Sequence, residues 1–501
     1  MPSDIPLDAI FLREDAPTLQ GRLAAAIIRA ILETRAHPGA RLPSSRQLAQ
    51  GLGLSRMTVT LVFQDLVSQG YLEALPRSGT AVAATVPHRR VDVTPLPAAR
   101  SQTVKWSRWL SDHDLPKRVI RKPGNWRDFR YPFIFGQADP TLFDHNAWRD
   151  CARRALGTRD FSELAADRYG ADDPLLLDYI CSNTLPRRGF NARPDEVLVT
   201  LGAQNALFLA IELLARVDRL AVTEEPGYPD FAETLRRARS PTTFLPVDSM
   251  GLDPAMLPAN TRLILITPSH HIPTGATMPL SRRRELLHRA DQMDALIIED
   301  DYDFEMSYLA PPAPALKSLD ASGRVIYIGS FSKSLFPGLR IGYMVAPAPF
   351  IARARALRAI MLRHPPGHLQ RITAYFLALG HYDAHIVRLR QTLKERRRVL
   401  EDAISRTMLR IEGAAAQGGS SVWISAPGTD SAELAARLQG DSVLIEPGAV
   451  FFENTPSPCP VFRLGYASIA ADRIPEGVAL IDRAARELSA LRDPVAGEGS
   501  T

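Results

Sequence analysis

The chain has 501 residues, 45% of them hydrophobic and 23% charged, with a net charge of +5. That length exceeds what one core usually holds, so two or more domains are expected, and the composition excludes disorder along the whole chain. No run approaches the roughly 20 uninterrupted apolar residues of a membrane helix, and the first ten residues lack a basic patch followed by an apolar run. The three cysteines, Cys151, Cys181 and Cys459, are too few and scattered for a disulfide framework or a zinc cluster. A cytoplasmic protein with no metal centre and no membrane partner is expected.

The charge is unevenly placed. Residues 17–130 carry 18 Lys and Arg against 7 Asp and Glu, which favours a polyanionic partner for the front of the chain. There Leu23, Ile27, Ile28 and Ile31 recur at helical spacing until Pro38-Gly39. In LPSSRQLAQGLGLSRMTVTLVFQDLVSQGYL, Ser44 or Ser45 can cap a short helix. Gly51 to Leu54 makes a corner, and Ser55 caps a third helix with Val59, Phe63, Leu66 and Val67 on one face. Tyr71-Leu72-Glu73 and Thr80-Ala81-Val82 flank a loop, Pro76-Arg77-Ser78-Gly79, as in a hairpin. This is the helix-turn-helix layout, in which the start of the last helix reaches base edges and a hairpin wing touches phosphate or minor groove.

Residues 15–84 resemble the winged helix-turn-helix of the GntR regulators through the words LPSSRQLA, LSRMTV and GYL…SGT. The resemblance implies contacts to double-stranded DNA from Arg46, from Arg56, Thr58 and Thr60 on the recognition helix, and from Arg77 and Gly79 in the wing. Met57 departs from the polar residue common there. Residues 85–130, basic and interrupted by prolines, read as a linker. Trp106, Trp109 and Trp126 suggest that parts of it dock on a surface.

From residue 131 to about 490, helical segments alternate with β-branched runs at Val197–Thr200, Leu220–Thr223, Leu263–Thr267, Ala295–Glu299 and Val325–Ile328. That alternation predicts an α/β sandwich around a mostly parallel sheet, with ligands at the carboxyl ends of its strands. Lys333, in Gly329-Ser330-Phe331-Ser332-Lys333, reads as the lysine that holds pyridoxal phosphate. An amine forms a Schiff base only once deprotonated, so it needs shelter and positive charge nearby, and Arg340 is the expected source. Ser330, Ser332 and Arg340 are donors for a phosphate, as are the backbone N–H groups of Gly202, Ala203 and Gln204 where a helix opens. Asp300 suits the pyridine nitrogen, Tyr302 the ring oxygen O3′, and Tyr228 a ring face.

The ordered words GAQNAL, EEPGYP, TPSHHIPTG, EDDYDFE, GSFSKSLFPGLRIGY and FRLGYA resemble the fold type I aminotransferases, implying a large α/β/α domain and a smaller carboxyl-terminal α+β subdomain. Where that family often places Asn before Pro-Thr-Gly, this chain has Ile272, so His271 or its neighbour His270 is the candidate substitute at O3′. Arg463 matches the arginine that forks onto a substrate carboxylate. The fusion as a whole resembles the MocR-type regulators. That likeness implies a homodimer in which an amino acid, an amine or pyridoxal phosphate itself is sensed through aldimine formation at Lys333, with at most residual half-transamination. Asp230, where some relatives have a second arginine, disfavours a ligand with two anions. The alternative is a working aminotransferase with an accessory DNA-binding domain.

Overall fold

The computed structural model describes residues 16–33, 36–75, 79–86, 104–110, 115–137, 139–413 and 417–492. The chain divides into two units, Met1–Trp109 and Leu110–Thr501. In the first, α1 (Leu19–Leu32) is capped by Thr18 and buries Leu23, Ala26, Ile27, Ala30 and Ile31. The Ser44 hydroxyl accepts from Gln47 N–H while the Gln47 side chain accepts from Ser44 N–H, so α2 (Ser45–Leu52) opens on a capping box. Gly53 turns the chain in the left-handed region, where a side chain would be strained, and Ser55 then caps α3 (Arg56–Ser68). Val59, Val62, Phe63 and Leu66 of α3 pack onto α1. Leu66 is fully buried, and trimming it to Ala would cost about 2–5 kcal/mol. Strands β1 (Leu72–Leu75) and β2 (Gly79–Val82) pair antiparallel as the expected hairpin. Its tip, including Arg77, lies outside the described residues.

The second unit carries a short strand β3 (Tyr131–Pro132) and a sheet built from β4 (Val197–Thr200), β5 (Leu220–Glu225), β6 (Thr242–Asp248), β7 (Gly251–Leu252), β8 (Thr261–Ile266), β9 (Leu296–Asp301), β10 (Val325–Ser330) and β11 (Gly342–Val345). Their spatial order is β4-β11-β10-β9-β8-β5-β6-β7. The five central strands β10, β9, β8, β5 and β6 run parallel, whereas β11 is antiparallel to both its neighbours. Successive side chains leave a strand on opposite faces, so both faces need cover. Leu263, Leu265, Ile298 and Ile326 pack with helices Gly202–Leu214 and Ala348–Leu362. Ile264, Ile266, Ile297 and Val325 pack with Leu286 and Ala290 of helix Leu280–Gln292.

A smaller sheet is formed by β12 (Arg410–Ile411), β13 (Ser421–Ser425), β15 (Glu446–Pro447) and β16 (Val461–Gly465), while β14 (Val443–Leu444) pairs with β3. In its register Glu446 stands directly opposite Arg463, so the two side chains share a face.

The later part of the stretch expected to be a linker is fixed onto the second unit. Backbone N–H groups of Lys117 and Arg118 donate to the Glu233 carboxylate at 2.9 and 3.3 Å, and the Arg118 guanidinium reaches Glu453 at 2.6 Å. Trp106 and Trp109, for which docking is expected, are 57% and 78% exposed in the single chain. Proline-rich composition reports the lack of regular structure, and segments without it can still be pinned by their backbone N–H groups.

Candidate functional site

A cavity of about 350 Å³ opens at the carboxyl ends of the parallel strands. Strand β9 and the residue just past its end deliver Asp300 and Tyr302 to it, the end of β10 and the turn after it deliver Ser330, Ser332 and Lys333, and the first turn of helix Gly202–Leu214 delivers Ala203 and Gln204. Arg340 reaches the same wall from a left-handed backbone position at φ 55° and donates to the Leu201 carbonyl at 3.0 Å. A Cβ on Gly202 would lie 2.9 Å from an Arg340 nitrogen, so the glycine makes room for the guanidinium. The two serines, the free helix-terminal N–H groups and Arg340 form an anion cradle. Within it Ser330 Oγ accepts from Ser332 N–H at 3.1 Å, and the buried Ser332 hydroxyl has no protein partner.

Lys333 has its pKa pushed down to about 8, first by burial and then by the positive charges of Lys122 and Arg463. Arg340 was the cation expected from sequence to do this. Its guanidinium is instead engaged at the cradle, and Lys122 and Arg463 supply the repulsion. Asp300 is pushed up to about 8 by burial and by Asp301 and Asp303, and its Oδ1 has no hydrogen-bond partner. An acceptor of that kind, buried at the end of a central strand, fits a cationic ring N–H. Beneath it, Asp301 accepts from Arg188 at 2.6 Å and from the Tyr327 hydroxyl at 2.8 Å, which fixes the end of β9.

Tyr228 lines the cavity with its hydroxyl 2.8 Å from Asp230 and 3.2 Å from Gln204. Asp230 also faces the cavity, its carboxyl pushed upward by burial. The expectation for His271 needs correction. Its Nδ1 lies 2.8 Å from Thr274 Oγ1, its Nε2 lies 3.6 Å from Glu224, and burial pushes its pKa down to about 3. That Nε2 has no hydrogen-bond partner, Glu224 accepts from the Thr267 N–H and hydroxyl, and Ile272 rather than His271 lines the cavity. His270 does not line it either. Its ring stacks on Tyr302 with centroids 6.1 Å apart and its Nδ1 sits 2.9 Å from Asp303. Sequence offered two adjacent histidines and no means of deciding which way either ring turns.

Arg463 is 1% exposed, and its Nε donates to Glu446 at 2.8 Å. Its Nη2 has no partner, and its guanidinium lies 4.1 Å from the Phe135 ring centre and 4.8 Å from that of Phe451. A buried guanidinium with an unused donor, in a residue that lines a cavity, is suited to an incoming carboxylate. Sequence reasoning missed Val119, Ile120, Lys122 and Phe135, which also line the cavity. The first three fall in the stretch read as linker, where no periodicity marks them.

In the first unit, Arg46 and Arg56 are exposed, as DNA contacts must be. Thr58 Oγ1 lies 2.8 Å from Ser55 Oγ in the cap, and the Thr60 hydroxyl donates to the Arg56 carbonyl at 2.9 Å. The Thr60 proton is thereby committed to the helix, leaving that oxygen an acceptor. Gly79 opens β2 at φ 91°. Met57, at the start of the recognition helix, is 68% exposed.

Residues 19–82 match the gntR family of bacterial regulatory proteins, and residues 183–481 match aminotransferase class I and II. The chain is 51% identical over 484 residues to the HTH-type transcriptional regulator TauR of Rhodobacter capsulatus, covering 96% of this chain and 100% of the relative. It is 31% identical to the probable rhizopine catabolism regulatory protein MocR of Rhizobium meliloti, covering 87% and 88%. The chain belongs to the MocR-type transcriptional regulators. As in other members, a DNA-binding helix-turn-helix is joined to an aminotransferase-like domain whose cofactor is pyridoxal phosphate. The fold of that domain matches the α-aminoadipate aminotransferase LysN of Thermus thermophilus complexed with N-(5'-phosphopyridoxyl)-L-leucine. The TM-score is 0.68 at 26% identity, over 77% of this chain and 100% of the other. Kynurenine aminotransferase of Pyrococcus horikoshii has the same fold, with TM-score 0.68 at 23% identity over 77% and 99%. The residues of this MocR-type chain fit the cofactor: the cradle would take its phosphate, Asp300 its ring nitrogen and Lys333 its aldehyde. Among the described residues no helix is long and apolar enough to cross a membrane.

Proposed function

We propose that this regulator senses a small amino acid or amine carrying one anionic group, and that the ligand competes with Lys333 for the cofactor. The observation that carries this reading is one cavity holding an amine of lowered pKa, Lys333, beside a buried arginine donor with no partner, Arg463 Nη2. When bound, the cofactor supplies an aldehyde that an amine can capture and a ring that withdraws electrons. Lys333 provides the neutral amine, Asp300 receives the ring N–H, Tyr302 and Tyr228 confine the ring, and Arg463 orients the ligand's anion. The Asp230 carboxyl faces the cavity and weighs against a second anion. Taurine, a γ-amino acid and a diamino acid derived from an osmolyte are candidates, and pyridoxal phosphate itself is the other candidate signal.

Ligand occupancy alters DNA binding only by favouring one arrangement of the protein over another, and a coupling of about 1–3 kcal/mol changes affinity roughly 5- to 150-fold. A cytoplasmic homodimer is the assembly this reading uses. Candidate amines added to the cofactor-loaded protein should shift its visible absorbance and its operator affinity at the same concentrations. Lys333→Ala should abolish borohydride-stable attachment of the cofactor and blunt the response, and a Lys333→Ala protein that answers its amine normally would overturn the mechanism. A second reading, a working aminotransferase, is favoured by the intact set Asp300, Tyr302 and Lys333. Sustained product formation with a keto acid acceptor would select it over stoichiometric conversion.

A further inference from the structure

We propose that Lys122 is a specificity-determining residue of the ligand site, holding the anionic group of the effector together with Arg463. This rests on the amine-sensing reading above and names the residue that selects an anionic amine over a neutral one.

Lys122 belongs to the stretch that Glu233 and Glu453 pin to the second unit, and its side chain is 23% exposed. Its ammonium donates to the Phe135 carbonyl and lies 3.7 Å from Glu446 Oε1. That carboxylate is heavily used: Oε2 accepts from Arg463 Nε at 2.8 Å and Oε1 accepts from Phe135 N–H at 3.2 Å. Two cations, Lys122 and Arg463, therefore share one carboxylate at the end of the cavity they both line. Arg463 keeps an unpartnered, buried Nη2, and Lys122 has its pKa lowered by burial and by the charge of Arg463. The local arrangement is one anion short, and a carboxylate or sulfonate entering the cavity supplies it.

The reach of such a ligand follows from Gly136. A Cβ built there would lie 2.5 Å from Lys333 Nζ and 3.6 Å from Lys122 Nζ, so the two amines are no further apart than those lengths together. A ligand whose amino group replaces Lys333 and whose anion meets Lys122 is accordingly short, with only a few atoms between its two ends. Amines of the same length without an anionic group gain nothing from Lys122.

The test uses the full chain loaded with pyridoxal phosphate and two probe pairs, β-alanine with propylamine and taurine with ethylamine. Each is titrated by visible absorbance and, in parallel, by calorimetry. The wild type should prefer the anionic member of at least one pair. In Lys122→Met the half-saturating concentration of that anionic amine, divided by that of its partner lacking the anion, should rise at least tenfold, and Lys122→Arg should restore most of the preference. Any effect of Lys122 transmitted through Lys333 alters both members alike, so the ratio reports the attraction of Lys122 for the anion. A ratio unchanged in a coloured Lys122→Met protein overturns the proposal, as does a coloured wild type that binds amines without preferring either anion, and both results leave amine sensing standing. A wild type that stays colourless with the cofactor overturns both readings.

Discussion

Capture of the cofactor by Lys333 should depend on pH in a way an ordinary lysine would not show. With the pKa pushed down to about 8, roughly one amine in ten is neutral at pH 7 and about nine in ten at pH 9. An unperturbed lysine near 10.4 would be neutral in only about one molecule in 2,500 at pH 7. Lowering a lysine's pKa favours the neutral form, so the sign is that capture accelerates as pH rises. The expected profile is an increase of about tenfold from pH 7 to pH 9 with a break near 8 and little change above pH 9. Cofactor-free protein mixed rapidly with pyridoxal phosphate across pH 6 to 10.5, followed at the wavelength of the bound form, gives the rates directly. Burial is the first cause of the shift and the Lys122 charge the second, so Lys122→Met should move the break upward without removing it. A rate that climbs with constant slope beyond pH 10 would show that the cavity does not perturb Lys333, and the reasoning from burial and charge would fail.

Gly136→Ala should slow cofactor capture severely while leaving the helix-turn-helix intact. Its Cβ would fall 2.5 Å from Lys333 Nζ and the residue sits at φ 72°, so absorbance on adding cofactor should be largely lost. Arg188→Met should destabilise the second unit by about 3–5 kcal/mol in denaturant unfolding, because it strands Asp301 without its buried cation. A loss below about 1 kcal/mol would mean that Tyr327 alone satisfies that carboxylate. Arg56→Ala should weaken operator binding by roughly 1–3 kcal/mol at fixed salt, read by fluorescence anisotropy. An equal loss on random DNA would identify Arg56 as a phosphate contact instead of a base reader.

Elements whose residues advertise their environment were legible. Strands β9 and β10 are runs of residues buried on both faces, and the caps at Ser44 and Ser55 sit one residue before their helices. Strand β11 is hidden within the Arg340 phosphate loop, because Gly342-Tyr343-Met344-Val345 opens on glycine and, unlike Val197–Thr200, is not a β-branched run. Strand β6 went unread for another reason: its Thr242–Asp248 run has intermediate burial and ends Pro-Val-Asp, which mimics a loop. In the site, Lys333, Asp300 and Arg463 come from motifs whose spacing encodes position. Lys122 has no such motif. Its place depends on Glu233 and Glu453, more than a hundred residues away, and long-range pinning of that kind leaves no local trace.

The anchoring of residues 117–122 also bears on where this protein can be divided. A shortened version beginning at Tyr131 would retain every strand of both larger sheets, and by secondary structure alone it would look whole. It would nevertheless lack Val119, Ile120 and Lys122 from the cavity wall, along with a cation that lowers the Lys333 pKa. Ligand preferences surveyed on such a fragment would describe a different cavity, so the functional boundary of the aminotransferase-like domain lies upstream of its first strand.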